Sequence, residues 1–177
     1  MATHESLSGR WTGHYYQHDQ LHPIEAELVQ KGATLAGLMR DLMTDRDASV
    51  FEAAAEAGLP PGADEQIVAK IRAMVPEETG GQVRFITHLP TDSLLEGTVE
   101  GRNVKFLKSY QGVAFNGYRL GESLVVNEHL GLAVHYEGRL SLDGGKIEGS
   151  WWIDANREMG VKRVHGEFTL NAEDPIS

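Results

Sequence analysis

The sequence predicts a mainly β protein: a single up-and-down antiparallel β-barrel of about 8–10 strands, with a two-helix insertion after the third strand. Three observations carry this. The pattern apolar-x-Gly-x-apolar occurs six times, centred on Gly13, Gly37, Gly97, Gly138, Gly149 and Gly166. Candidate strands follow one another through short polar turns, of which Asp143-Gly-Gly145 is the plainest. The pattern breaks once, at an Ala-rich run followed by a stretch with helical periodicity.

In the glycine pattern, positions i, i+2 and i+4 share one face of a strand. Each copy sets a glycine between two large apolar side chains, as in Trp11-Thr-Gly13-His-Tyr15. Glycine weakens a strand unless the chain bends sharply there or a neighbour approaches closely. Repeated along the chain, it implies a sheet coiled tightly enough to close on itself.

The elements follow in order. Residues 8–18 and Ile24–Val29 are the first two strands; Ile24, Ala26 and Leu28 alternate with Glu25 and Glu27. Thr34–Asp41 completes a meander. Thr44-Asp-Arg-Asp47 reads as a helix start before Ala48–Ala57, and Asp64 as the cap of a second helix bearing Ile67, Ile71, Met74 and Val75, ended by Pro76. Residues 45–76 are therefore expected to be a helical insertion capping one barrel end within a single domain, 1–177. Strands resume at Gln82–His88, Ser93–Glu100, Asn103–Tyr110, Ser123–Glu128, Leu132–Leu142, Lys146–Asp154 and Lys162–Leu170, and 172–177 reads as a loose tail.

The chain has 177 residues, no cysteine and a formal net charge of −10. The charge disfavours nucleic acid and anionic membrane surfaces as partners. Without cysteine there are no disulfides, thiolate metal sites or Cys nucleophiles. Neither a signal peptide nor a membrane-length apolar run is visible, so a cytoplasmic setting is the expectation.

The glycine phase turns Trp11, Tyr15, Phe106, Tyr136, Trp151 and Phe168 inward. Two charged residues fall on the same stripes: Asp41 continues Leu35-x-Gly37-x-Met39, and Lys108 lies within Val104-x-Phe106-x-Lys108-x-Tyr110. Either the two meet near Tyr110, inside or at the mouth, or each is solvated just past its strand end. An interior pair makes a polar anchor for a ligand. The candidate ligand-binding set is Tyr15, Asp41, Phe106, Lys108, Tyr110, Tyr136 and Trp151, taking an apolar or aromatic small molecule, with or without an acidic group, and no metal. Two alternatives stand beside it. One is an isomerase- or lyase-type cavity enzyme using Lys108 or a Tyr as acid–base group. The other is a barrel with a filled core that acts through its surface or as a homo-oligomer.

Gly9-x-Trp11 resembles the G-x-W motif that opens the first strand of lipocalins and avidins, and Gly9-x-Trp11-x-Gly13 is similar to the first strand of nitrobindins. Together with glycine-punctuated, hairpin-linked strands, these residues resemble the calycin superfamily, which also includes fatty-acid-binding proteins. The resemblance implies a ligand-holding barrel. It implies a basic side chain stacked on Trp11, for which Arg163 is the candidate. By the nitrobindin likeness it implies haem on an interior His near the C-terminus. His165 has that position, but its phase turns it outward. The chain departs from the pattern in two ways. A lipocalin T-D-Y segment is missing, and the helices follow the third strand, whereas fatty-acid-binding proteins place theirs after the first. His14 and His165, both outward, are expected to form a surface pair with His135 further off.

Overall fold

A computed structural model describes residues 6–17, 19–78, 80–130, 133–155 and 163–173. The expected segments reaching Met1–Glu5, His18, Leu132, Asn156, Lys162 and 174–177 lie outside these at those positions. The strands are β1 (Gly9–Gln17), β2 (Gln20–Lys31), β3 (Thr34–Asp41), β4 (Asp45–Ser49), β5 (Val83–His88), β6 (Asp92–Glu100), β7 (Asn103–Tyr110), β8 (Val113–Leu120), β9 (Ser123–Leu130), β10 (Val134–Leu140), β11 (Lys146–Ile153) and β12 (Val164–Ala172). The helices are α1 (Val50–Glu56) and α2 (Ala63–Met74). Among the described residues no helix is long and apolar enough to cross a membrane.

Eight strands close an antiparallel barrel in the order β1-β12-β11-β10-β7-β6-β3-β2. Each barrel strand pairs with the next along the chain, and β12 returns to β1, with Trp11 opposite Ala172 and Tyr15 opposite Phe168. The glycines explain the curvature. A Cβ placed on Gly13 would lie 1.8 Å from the Thr169 carbonyl oxygen, and one on Gly149 would lie 2.0 Å from that of Glu137. Gly138 and Gly149 are cross-strand partners, so at that point two bare backbones meet. No side chain fits at such separations, which is why these positions carry none.

The barrel has unlike ends. At one end Leu7, Trp11, Leu28, Leu35, Val104, Leu140, Ile147 and Leu170 are buried together. The Trp11 Nε1–H donates to the Leu7 carbonyl at 2.9 Å. The β2–β3, β6–β7 and β10–β11 turns lie at this end and are tight. The other end holds Asp41, Ser93 and Lys108. The long connections, including those that carry residues 44–89 and 112–130, leave from it.

Those two segments form a second compact unit with its own sheet, β4-β5-β8-β9. α1 and α2 pack on it around Val50, Ile71, Val75, Val83 and Leu120. The expected helical insertion 45–76 is therefore helical only from Val50. Asp45–Ser49 is instead a strand, its backbone groups paired with β5 from His88 to Arg84. The Ser49 side chain, not Thr44, caps α1, accepting from the Glu52 N–H at 3.1 Å. Gly62 precedes α2 without a side-chain cap, and Asp64 falls in its first turn, where a carboxylate favours the helix dipole. Ala172 ends β12, its N–H bonded to the Gly145 carbonyl at 2.9 Å, and the Glu173 N–H bonds the Arg10 carbonyl at 2.9 Å, so these two residues are not part of a loose tail.

Candidate functional site

Asp41 is the last residue of β3 and keeps the inward phase of Leu35 and Met39. Lys108 keeps the inward phase of Val104 and Phe106 on β7. Their side chains meet across the barrel: Lys108 Nζ donates to Asp41 Oδ2 at 2.6 Å. Lys108 is 0% exposed and Asp41 2%. The Nζ lies 4.6 Å from the centre of the Tyr110 ring and 5.5 Å from that of Tyr15, so two aromatic faces flank the ammonium. Of the two alternatives open in the sequence, the interior pair is the one found.

The pair belongs to a layer at the polar end. Tyr15 stacks on His22 with ring centres 4.8 Å apart and meets the edge of Trp151 at 5.8 Å. Trp151 Nε1–H donates to the Tyr16 carbonyl at 3.0 Å. Ser93, second in β6, is fully buried opposite Met39 and Tyr110. Tyr110 and His22 are only half-buried, so this layer lies close to the strand ends. Beneath it Phe106 stacks on Tyr136 at 4.8 Å, and Phe168 meets Tyr136 edge-on at 4.9 Å. The structure thus gathers Tyr15, Asp41, Lys108, Tyr110 and Trp151 into one layer. Phe106 belongs to the ring stack below, and Tyr136 joins the stack to the layer.

Electrostatics follow from burial. Removal from water pulls the Lys108 ammonium below its usual range, opposed by the Asp41 charge. Burial pushes the Tyr15 and Tyr110 phenols up, and the Asp41 charge adds to this. Tyr136 is raised by burial and then by Tyr15 and Asp41. A raised pKa favours the folded state in full below the unfolded value, about pH 10 for tyrosine. That stabilisation drains away as pH climbs further, because the unfolded chain ionises first. Absorbance at 295 nm is expected to show these three phenols ionising above about pH 10 together with loss of the fold. Gradual ionisation with the circular dichroism intact would contradict the packing.

Two buried polar atoms in this layer have no hydrogen-bond partner among the described residues: Asp41 Oδ1 and Ser93 Oγ. The Tyr15 hydroxyl lies beside Asp41 and interacts with its carboxylate, which raises the phenol further. Ser93 and His22 lie outside the expected ligand-binding set. Both continue inward stripes, two residues before Leu95 and Ile24, and phase alone would have found them.

Other expected positions differ. Arg163 does not reach Trp11. The antiparallel seam puts Trp11 opposite Ala172, at the far end of β12, and Arg163 instead lies 5.9 Å from the Trp152 ring. His14 is opposite Thr169, four residues along β12 from His165, or roughly 13 Å at the strand rise, so the two do not form a pair. His165 lies on the outer wall in a groove of about 450 Å³ with Tyr16, Asp19 and Glu167. That position does not fit an interior haem ligand. Trp152 also faces out, stacked on His135 at 5.1 Å beside a groove of about 320 Å³. His135 Nε2 and Asp154 Oδ2 are 2.9 Å apart. Among the described residues no cluster of three His, Asp or Glu side chains is placed to hold a metal ion.

Fold and site together define a closed eight-stranded antiparallel barrel with an apolar end and a buried, ion-paired polar end. Comparison with protein-family models, with curated proteins and with solved structures gives no match.

Proposed function

We propose that this chain is a calycin-like small-molecule-binding barrel whose ligand is anchored at the Asp41–Lys108 layer by its polar group. The observation that carries the reading is the ion pair itself, fully buried at 2.6 Å with two polar atoms beside it unpartnered. A buried ion pair stabilises a fold poorly against apolar side chains of similar size. Unpaired buried polar atoms add a further cost. A fold that needed only to pack would gain by replacing both, whereas a binding site needs a few placed polar groups in apolar surroundings. The flanking rings of Tyr15 and Tyr110 suit an apolar or aromatic body. Gly9-x-Trp11 at the start of β1, with Trp11 at the apolar end, agrees with the calycin pattern.

The stacking of Phe106, Tyr136 and Phe168 favours a second reading, a barrel filled by its own side chains that acts through its surface. Native mass spectrometry of the protein purified from its source separates the two. The first predicts a retained compound at one per chain, absent from the Asp41→Leu/Lys108→Met double variant. A bare protein mass in both favours the filled barrel and removes the ligand reading.

A further inference from the structure

We propose that the anchoring group of the ligand is a neutral donor–acceptor edge, as in a carboxamide or lactam, donating to Asp41 Oδ1 and accepting from Ser93 Oγ. This rests on the ligand reading above and specifies the chemistry of the same site. Asp41 divides its oxygens: Oδ2 takes the Lys108 ammonium, and Oδ1 is buried beside the Tyr15 hydroxyl with no hydrogen bond of normal geometry among the described residues. A carboxylate oxygen only accepts, so its missing partner is a donor. Ser93 Oγ is buried and free as well, and a hydroxyl can donate. The register sets the two side by side. Ser93 is opposite Met39, two residues from Asp41 on the same inward face. Such diagonal neighbours lie roughly 7 Å apart, within reach of one small polar group between them.

Charge decides which group. Asp41 and Lys108 already neutralise one another in a water-poor layer. A ligand carboxylate would leave a surplus negative charge beside Asp41, and an ammonium a surplus positive charge beside Lys108. Either is costly when buried. A neutral amide adds no charge and partners both atoms, one through a charge-assisted hydrogen bond. The acidic ligand considered from the sequence is therefore disfavoured at this anchor.

The experiment measures binding of benzamide, benzoate, benzylamine and toluene by ligand-observed NMR, on the wild-type chain and on Ser93→Ala. Ser93→Ala deletes a hydroxyl without a partner, so the variant is expected to fold with undiminished thermal stability. Benzamide is expected to bind about tenfold more tightly than each of the other three, and Ser93→Ala to reduce that preference by roughly fivefold to tenfold. Preference for benzoate, benzylamine or toluene overturns the neutral edge while leaving a ligand site in place. Benzamide binding unchanged by Ser93→Ala overturns the role of that hydroxyl. Binding of none of the four in the wild type overturns the proposed edge, and it removes the ligand reading as well.

Discussion

Lys108→Met alone is expected to destabilise the barrel by about 3–5 kcal/mol, and Asp41→Leu by a similar amount. Each leaves the other charge buried without its partner, since both side chains are sealed from water. The double variant Asp41→Leu/Lys108→Met should recover the loss and unfold at or above the wild-type denaturant concentration, because both desolvation costs vanish together. Urea unfolding at constant slope gives the four stabilities and hence the coupling between the residues. Additive losses in the double variant would show that the pair is not a buried unit. The double variant also keeps the fold for ligand measurements, which neither single change ensures.

Gly149→Ala should cost about 3 kcal/mol or prevent folding, at the upper end of what overpacking does. The added carbon would lie 2.0 Å from the Glu137 carbonyl oxygen and 2.4 Å from the Gly138 Cα, both backbone atoms of the next strand. Neither can step aside without parting β10 from β11. Gly145→Ala is the control. Its Cβ would meet nothing nearer than the Asp143 carboxylate at 3.5 Å, an ordinary contact, and its effect should stay within about 0.5 kcal/mol. Thermal unfolding of the two variants checks the contrast. Equal, small effects would mean that the strand wall is looser than these separations imply.

The same glycines made the barrel legible in the sequence. Six of them mark where neighbouring strands crowd one another, and their phase names the inward face of each strand. That phase was enough to put Asp41 and Lys108 on converging stripes and Trp151 and Trp152 on opposite faces. It failed where the local signal pointed elsewhere. β4 reads Asp-Arg-Asp-Ala-Ser, a helix-start composition, and is held extended by pairing with β5. β8 carries Asn116-Gly117, which reads as a turn, yet Gly117 lies at another close approach, 2.2 Å from the Val125 carbonyl to a placed Cβ. The second sheet joins segments from two separate insertions, and no local pattern encodes that meeting. The family resemblance implies Arg163 on Trp11, and the seam register overrules it.

That seam also governs how the chain can be made. β1 finds one of its two neighbours only in β12, more than a hundred residues downstream. Ring closure over such a span carries a large entropic cost and slows folding relative to locally paired topologies. On a ribosome, β1 stands with one bare backbone edge until the final strand emerges. The outward Arg10, Thr12 and His14 of β1, with Glu25 and Glu27 of β2, guard that interval, since they make the waiting ribbon a poor template for a neighbouring nascent chain.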